Sequence, residues 1–188
     1  MDGKCQGVAY ATPFRLSLLR ATLPQCLRVR EHAMLNEGDK AQDFELPTES
    51  GNTFKLLDFK GKGVVLYFYP KDDTSGCTLE AKDFSSFAAD FRKAGVEVVG
   101  LSPDSVESHR KFTRKYNLAV RLAADEDKAV ANAYGVWVEK SMYGRKFMGV
   151  ERSTFLIDKM GRIARIWRKV KVPGHAEEVL AAARALVK

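Results

Sequence analysis

The pattern of apolar and polar positions becomes regular from about residue 36 onward. Residues 43–46 and 53–56 each alternate polar and apolar side chains, and the segment 49–52 between them, Glu-Ser-Gly-Asn, has the composition of a turn. Strict alternation is typical of a strand with one buried face. The first element that the pattern predicts is therefore a β-hairpin.

Two continuous apolar runs come next, with a helical pattern between them. Residues 64–69 and 96–101 are rich in β-branched and aromatic side chains, as strands buried on both faces are. Between these runs, apolar residues recur at helical spacing from Cys77 to a glycine stop at Gly95. The helical stripe consists of Phe84, Phe87, Ala88 and Phe91. Strand, helix and strand in this order predict a parallel pair joined by a right-handed crossover.

The rest of the chain predicts shorter elements. Ser102-Pro103 has the pattern of a helix N-cap followed by proline at the first helical position, which opens a helix to about Tyr116. The further predicted elements are a strand at 120–122, a helix at 126–134, a strand at 136–138, a loop at 142–149, a hairpin of strands 153–157 and 163–167, and a helix from His175. The core stripe of that last helix comprises Val179, Leu180, Ala183, Leu186 and Val187.

These elements indicate an α/β fold, with a central mixed sheet flanked by helices and an added N-terminal β-hairpin. A strand that leads into a cysteine-bearing helix N-terminus, followed at the end by a hairpin and a helix, is thioredoxin-like in order. The chain has 188 residues, 45% of them hydrophobic, which fits one domain with a sizeable core plus an extension. No run of about 18 apolar residues occurs that would predict a transmembrane helix.

Residues 1–33 differ in character from the rest of the chain. They hold five basic residues against two acidic ones, +3 of the net charge of +7, and show no sustained strand or helix pattern. We interpret them as a basic extension, either disordered or a leader, and residues 34–188 as the folded domain. Three origins stay open: an organelle transit peptide, an upstream extension before a start at Met34, or a genuine segment. The charge of the remainder is spread over mixed surfaces, so we expect no nucleic-acid partner.

Cysteines and histidines are few and scattered: Cys5, Cys26, Cys77, His32, His109 and His175. No CxxC and no Cys/His ligand spacing is present, so we expect no metal, no other cofactor and no disulfide scaffold. This cysteine usage fits a reducing compartment, the cytoplasm, or an organelle if residues 1–33 are a transit peptide. We interpret each histidine as a surface or helix-face residue.

Cys77 lies where the predicted helix begins. A helix N-terminus carries unpaired N–H donors and partial positive charge, and a thiol there loses its proton more readily than in water. The alternative is a buried, inert cysteine. Its neighbours are Thr, Ser, Gly and Glu, which makes a dry pocket less favoured and indicates a reactive thiol.

Two sequence blocks resemble the peroxiredoxins. Residues 67–81 contain the pattern Pro-x-x-x-Thr-x-x-Cys, at Pro70, Thr74 and Cys77, and are most similar to the bacterioferritin comigratory protein (plant Q-type) branch. Residues 142–158 resemble that branch's second signature, and residues 38–44 also fit. The resemblance covers about residues 35–188. It implies a thiol-dependent peroxidase that reduces hydrogen peroxide and organic hydroperoxides through a Cys77 sulfenic acid.

The resemblance also implies roles for the neighbouring residues. Thr74 would offer a hydroxyl to the peroxide, and Arg152 would hold the thiolate and the developing charge. The other residues assigned to the substrate pocket are Pro70, Gly76 and Glu80, of which Glu80 would orient Arg152 or another cation. Taken singly, Thr74 could instead be a simple helix cap, and Arg152 a surface charge before a strand.

The chain departs from the branch at two positions. Ser75 replaces a proline found in many members, and Lys82 stands where many carry a second cysteine. No cysteine follows Cys77, and the remaining candidates for a resolving thiol, Cys5 and Cys26, lie in the basic extension. We therefore expect a one-cysteine cycle with an external thiol, thioredoxin, glutaredoxin or glutathione, as reductant, and a monomer or weak dimer. The alternatives are a thiol–disulfide oxidoreductase, against which the missing CxxC argues, or a redox-regulated chaperone or binding protein on the same fold.

Overall fold

The computed structural model describes residues 34–142 and 144–186. The expectations for the basic extension, Cys5, Cys26, His32 and Val187 lie outside these residues. The strands are β1 (Glu45–Pro47), β2 (Thr53–Lys55), β3 (Gly63–Phe68), β4 (Val96–Ser102), β5 (Arg121–Ala124), β6 (Trp137–Met142), β7 (Arg145–Val150), β8 (Ser153–Ile157) and β9 (Ile163–Trp167). The helices are α1 (Ser75–Ser86), α2 (Ala88–Lys93), α3 (Val106–Tyr116), α4 (Ala129–Ala133) and α5 (His175–Leu186), and a 3-10 turn spans Leu56–Phe59.

The central sheet is mixed, as predicted, with strand order β5-β4-β3-β8-β9. Strand β3 pairs in parallel with β4 and antiparallel with β8. The hairpin β1–β2 precedes the sheet and is antiparallel, which confirms the first predicted element. The α/β, thioredoxin-like prediction is therefore confirmed in its sheet, its helices and its N-terminal hairpin.

The side chains of β3 alternate between two apolar clusters, one on each face of the sheet. Val64, Leu66 and Phe68 join the cluster that includes the β1–β2 hairpin and α4, which we call the hairpin face. Val65 and Tyr67, with Tyr69 just beyond the strand, join the cluster that holds Cys77 and the buried sides of α1, α2, α3 and α5, which we call the site face. This division follows from the period of two in a strand.

The single helix predicted from Cys77 to Gly95 is wrong, because the structure has two helices that meet at Phe87. The hydroxyl of Ser86 donates to the carbonyl of Asp83 at 2.7 Å, a local bond that competes with the helical ladder. The predicted start at Ser102-Pro103 is also wrong. Ser102 is the last residue of β4, and the N-cap of α3 is Ser105, whose hydroxyl accepts from the backbone N–H of Ser108.

Residues 142–149 do not form the predicted loop. Strands β6 and β7 form an antiparallel hairpin, whose turn contains Gly144 at φ +76°. The helix predicted at 126–134 is shorter, Ala129–Ala133, and the carboxylate of Asp125 before it accepts from the backbone N–H groups of Val130 and Ala131. In α5 the stripe Val179, Leu180 and Ala183 is buried as predicted, but Leu186 is exposed.

Candidate active site

The candidate site lies at the end of β3, where the chain turns into α1. Residues 69–74 form the connection, which we call the peroxide loop, and Cys77 is the third residue of α1. Thr74 occupies the N-cap position with extended backbone angles. Within the described chain its side chain makes no capping hydrogen bond and donates instead to the carbonyl of Lys71 at 3.2 Å. The capping alternative therefore holds for the backbone of Thr74 and not for its hydroxyl.

Cys77 is only 2% exposed, so the expectation against a buried pocket was wrong. Of the polar neighbours in the sequence, Thr74 and Ser75 are exposed but Glu80 is buried, and Cys77 belongs to an apolar cluster with residues of β3 and α5. The pocket is nevertheless not wholly apolar, because Nη2 of Arg152 lies 3.2 Å from the Cys77 sulfur. The structure thus brings together two residues that are 75 positions apart in the chain.

Arg152 joins the thiol to a buried carboxylate. Its Nη1 donates to Oε2 of Glu80, and its backbone carbonyl accepts from the N–H of Val170 at 3.0 Å. The side chain is 17% exposed, so the alternative of a surface charge is wrong. Burial by itself would lower the pKa of Arg152, but the negative charges of Glu80 and Cys77 raise it above its ordinary value. The guanidinium is therefore a permanent cation between two acidic groups.

Glu80 is 1% exposed, and its burial raises its pKa to about 7 although Arg152 acts in the opposite direction. Its second oxygen, Oε1, has no hydrogen-bond partner among the described residues. The contact predicted between Glu80 and Arg152 is present. Cys77, Arg152 and Glu80 form one buried cluster, in which a single cation serves two acids.

The remaining predicted residues surround this cluster in different ways. A Cβ atom on Gly76 would lie 3.4 Å from Nη2 of Arg152, so Gly76 borders the guanidinium closely. Pro70 is exposed at the start of the peroxide loop. Ser75 is the first residue of α1, which is compatible with a helix start. Lys82 is exposed on α1, with its Nζ 4.8 Å from the ring centroid of Tyr116.

Lys140 lies near the site and was not predicted from the sequence. Its side chain is half-buried, and its Nζ donates to the carbonyl of Val150 at 2.5 Å. Burial lowers the pKa of Lys140 below its ordinary value, and Arg152 acts in the same direction while Glu151 and Cys77 act against it. A prediction of the β6–β7 hairpin would have indicated that Lys140 is near the site. The sequence pattern predicted a loop after residue 142 instead, and Lys140 lies on β6 just before it.

The histidines on the described chain are buried on helix faces. His109 is fully buried on α3, and His175 begins α5, where its Nε2 lies 2.8 Å from the hydroxyl of Thr154. The surface alternative is therefore wrong for both residues and the helix-face alternative is right. Within residues 34–142 and 144–186, no group of three or more His, Cys, Asp or Glu side chains could hold a metal ion. None of the helices in these residues is long and apolar enough to cross a membrane.

A thioredoxin-like sheet, a cysteine in the first turn of a helix and a guanidinium at its sulfur together form the electropositive cysteine site that is typical of thiol-dependent oxidoreductases. Residues 37–166 match the model of the AhpC/TSA family. The chain is 52% identical over 143 residues to the putative peroxiredoxin bcp of Coxiella burnetii, covering 76% of this chain and 95% of that one. It is 51% identical to peroxiredoxin Bcp of Bacillus subtilis, over 76% of this chain and 91% of that one.

Solved structures agree with this assignment. A mutant of Xylella fastidiosa PrxQ superposes with a TM-score of 0.79 at 39% identity, covering 83% of this chain and 99% of that one. A Xanthomonas campestris bacterioferritin comigratory protein, described for its alkyl peroxide reduction activity, superposes with a TM-score of 0.74 at 45% identity, covering 77% and 92%. The chain belongs to the AhpC/TSA family and, within it, to the peroxiredoxins of the bacterioferritin comigratory protein (Q-type) branch. It is thus a thiol-dependent peroxidase, with a peroxide as substrate and a thiol as reductant, which confirms the function predicted from the sequence.

Proposed function

We propose that Cys77 is the thiol that reduces the peroxide. The thiolate attacks one peroxide oxygen, and the S–O bond forms as the O–O bond breaks. The second oxygen leaves as hydroxide or alkoxide and takes a proton from water. Cys77 becomes a sulfenic acid, and the substrate becomes water or an alcohol. Hydrogen peroxide and organic hydroperoxides both fit this chemistry, and the activity named for the Xanthomonas relative supports the latter.

Ionisation of the thiol accounts for only part of such a reaction. An ordinary thiol at pH 7 is a few per cent ionised, so complete ionisation gains a few tens-fold in rate, about 2 kcal/mol. The intrinsic nucleophilicity of a thiolate also falls as the thiol becomes more acidic. The rest of the acceleration has to come from alignment of the O–O bond and from stabilisation of charge on the leaving oxygen.

The contact of 3.2 Å between Nη2 of Arg152 and the Cys77 sulfur is the observation that carries the proposal. A guanidinium at this distance stabilises the thiolate before attack and negative charge on the peroxide oxygens during it. Glu80 accepts from the other arm of the fork and so fixes the orientation of Arg152. Because the cluster is buried, these interactions are stronger than they would be in water.

Thr74 supplies the hydroxyl that binds the peroxide in this scheme. Its Oγ1 now donates to the carbonyl of Lys71 and is exposed, so the hydroxyl can turn to a ligand above Cys77. Pro70 borders the same loop and shields the bound peroxide from water. Gly76 borders the guanidinium of Arg152 on the helix side of the pocket. In this scheme Cys77, Thr74 and Arg152 form the catalytic part of the site, and Pro70, Gly76 and Glu80 form its substrate pocket.

Recovery of the thiol requires an external reductant. Lys82 stands where many members of the branch carry a second cysteine, and no cysteine follows Cys77 in the chain. The sulfenic acid condenses with an incoming thiol and releases water. A second thiol then reduces the mixed disulfide and regenerates Cys77. Thioredoxin, glutaredoxin and glutathione are all thiols of the required class.

We further propose that the active form is a monomer or weak dimer that acts in the cytoplasm without nucleic acid. The cysteine usage supports a reducing compartment. Outside residues 1–33 the charge is spread over mixed surfaces, which supports the absence of a nucleic-acid partner. Sedimentation at low and high protein concentration would test the oligomeric state directly.

Peroxide turnover by the purified protein, with thioredoxin compared against glutathione as electron donor, tests the function and identifies the reductant. We expect steady consumption of peroxide with at least one of the two donors. Cys77→Ser should abolish turnover, while the matched variant Cys26→Ser should keep it. Turnover that survives Cys77→Ser would rule out Cys77 as the reactive thiol, and loss in Cys26→Ser would rule out the one-cysteine cycle.

A further inference from the structure

The peroxide loop is attached to α3 by an aspartate that points into the protein. Asp72 lies in this loop, two residues before Thr74, and is 7% exposed. The loop follows β3, and the loop before α3 follows β4. Since β3 and β4 are parallel neighbours, their carboxyl ends place the two loops side by side. A link between these loops therefore fixes the position of one against the other.

The Asp72 carboxylate accepts three side-chain hydrogen bonds. Its Oδ2 accepts from Nδ1 of His109 at 2.8 Å and from the hydroxyl of Ser108 at 2.7 Å, both on α3. Its Oδ1 accepts from the hydroxyl of Tyr69 at 2.7 Å. The backbone N–H of Asp72 donates to Oδ2 of Asp104 at 2.8 Å, in the loop before α3. Burial alone would raise the pKa of Asp72, but the bonds from His109, Ser108 and Tyr69 outweigh it and lower the pKa below its ordinary value.

His109 is the buried partner in this network. Its ring is fully buried, and its second nitrogen, Nε2, lies 3.2 Å from the backbone carbonyl of Ala123 on β5. Both ring nitrogens thus lie within hydrogen-bond distance of an oxygen of the protein. The side chain therefore ties the peroxide loop, through Asp72, to the rigid edge of the central sheet. Removal of His109 leaves the buried Asp72 carboxylate with only the hydroxyls of Ser108 and Tyr69 as side-chain donors.

The next residue of the loop makes the opposite kind of contact. Asp73 is exposed and binds Lys115 at 2.6 Å and the hydroxyl of Tyr116 at 2.5 Å, also on α3. Exposed ion pairs contribute little, because water and salt screen them. The loop is thus held to one helix by an inner aspartate with buried partners and an outer aspartate with exposed partners. The two residues are a matched pair for an experiment.

We propose that His109, acting through Asp72, is a positioning residue that aligns the peroxide loop and its Thr74 hydroxyl over Cys77. This inference rests on the proposed roles of Cys77 and Thr74. His109 does not touch the reacting atoms. It determines where Thr74 holds the peroxide, and a displacement of about 1 Å in a bound substrate can cost about 100-fold in rate. Replacement of His109 leaves the side chains of Cys77, Arg152 and Thr74 chemically unchanged.

The test compares three variants of the full chain, His109→Leu, His109→Asn and Asp72→Asn, with the control Asp73→Asn. Two rate constants are measured for each: oxidation of Cys77 by hydrogen peroxide in a single turnover, and alkylation of Cys77 by iodoacetamide. Alkylation reports on the thiol and its access without any need to align a peroxide. Urea unfolding establishes that each variant is folded under the assay conditions.

We expect the peroxide rate constant to fall about 10- to 100-fold in His109→Leu and Asp72→Asn, while alkylation is unchanged or faster. His109→Asn keeps a donor toward Asp72 and should recover part of the loss. Asp73→Asn should stay within about threefold of the parent. If His109→Leu does not fold, Asp72→Asn and His109→Asn give the same comparison. Asp72→Asn nearly preserves the shape of the side chain, and His109→Asn preserves a hydrogen-bond donor toward Asp72.

Three results would overturn the proposal. The first is a lower urea midpoint with an unchanged peroxide rate constant, which would make the pair merely structural. The second is a peroxide rate constant that falls as far in Asp73→Asn as in Asp72→Asn. The third is an alkylation rate constant that falls in parallel with the peroxide rate constant in His109→Leu and Asp72→Asn. A failure of the proposed role of Cys77 can be told apart from a failure of the His109 proposal, because the Cys77→Ser variant would then still react with peroxide. In that case the parent protein itself would show no peroxide-dependent change at Cys77.

Discussion

The two faces of the central sheet are built from the same strands and differ in what they bury. On the hairpin face, β3 contributes Val64, Leu66 and Phe68 to a cluster whose polar atoms are few, such as the hydroxyl of Tyr134, which donates to the carbonyl of Gln42. On the site face, the cluster contains Tyr67, Tyr69 and Cys77. The rings of His109 and His175 pack against this second cluster.

The difference shows how one sheet separates stability from chemistry. Apolar side chains on the hairpin face stabilise the fold by leaving water and carry no ionisable group that reacts. On the site face, buried polar groups cost free energy unless each finds a partner. The partners of the carboxylates, His109 for Asp72 and Arg152 for Glu80, are also the groups that we propose to position the loop and the thiol. We expect variants on the two faces to separate stability from activity.

The largest effect is expected for Arg152→Lys on the site face. A single ammonium cannot contact both the Cys77 sulfur and Glu80 as the guanidinium fork does. We expect the rate constant for peroxide reduction, measured by stopped flow, to fall about 100- to 1,000-fold, or about 3–4 kcal/mol. Arg165→Lys, at an exposed ion pair with Glu178, is the matched control and should change the rate less than about twofold. A parental rate in Arg152→Lys would contradict the proposed role of the guanidinium.

Leu66→Ala should produce the reverse pattern on the hairpin face. Leu66 is fully buried, and its truncation leaves a cavity in the sheet's apolar cluster. We expect the free energy of unfolding in urea to fall by about 3 kcal/mol. The peroxide rate constant of the folded protein should stay within about twofold. Leu57→Ala, at an exposed leucine, is the control and should cost less than about 0.5 kcal/mol. A large loss of rate in folded Leu66→Ala would show that the faces are not separable.

The pH dependence of stability should reveal two opposed contributions on the site face. Burial lowers the pKa of His175 to about 4, so its contribution is present above pH 6.5 and is lost as the pH falls toward 4. Burial raises the pKa of Glu80 to about 7, so its contribution is present below pH 4.5 and is lost as the pH rises through 7. Each amounts to at most about 3 kcal/mol, and between pH 4.5 and 6.5 the two slopes oppose each other.

Variants should separate these two slopes. In His175→Gln only the Glu80 slope remains, so the free energy of unfolding should decrease from about pH 4.5 to about pH 7. In Glu80→Gln the His175 slope remains, and the free energy of unfolding should increase from about pH 4 to about pH 6.5. Urea unfolding at several pH values measures both. Equal slopes in the two variants would show that these residues do not titrate as their burial indicates.

The smallest effect is expected for Gly76→Ala. The added Cβ would lie 3.4 Å from Nη2 of Arg152, which is an ordinary van der Waals distance. Alanine also favours the helix by about 1 kcal/mol over glycine. We expect the peroxide rate constant to change by no more than about threefold, with a small gain in stability. A loss of more than about tenfold would indicate that Gly76 contributes to peroxide binding beyond the space it leaves.

Much of the fold could be predicted from local patterns, and the rest depended on contacts between distant residues. The continuous run at β3 and the alternation at β1 and β2 were sufficient for the sheet and its hairpin. The β6–β7 hairpin was missed because most side chains of β7 are exposed and give no apolar alternation. The break at Phe87 was missed because the apolar stripe continues through it, and Phe87 still packs against the site face.

The site was partly predictable for the same reason. The motif around Thr74 and Cys77 is contiguous, and the resemblance supplied Arg152. The burial of Cys77 was not predictable from its polar neighbours, because the covering side chains come from β3 and α5. Asp72 and His109 are 37 positions apart, and no local spacing indicates that they meet. Lys140 was likewise hidden, because its partner Val150 lies on a strand that the sequence pattern did not predict.

The most direct test of the proposed chemistry is the intact mass of the protein after reaction with one equivalent of hydrogen peroxide in the absence of reductant. The one-cysteine cycle predicts the addition of one oxygen atom, which peptide mapping with a sulfenic-acid reagent should assign to Cys77. Cys77→Ser should gain none under the same conditions. A loss of two hydrogen atoms, as in an internal disulfide, would contradict the one-cysteine cycle, and oxygen on any residue other than Cys77 would contradict the assignment of the reactive thiol.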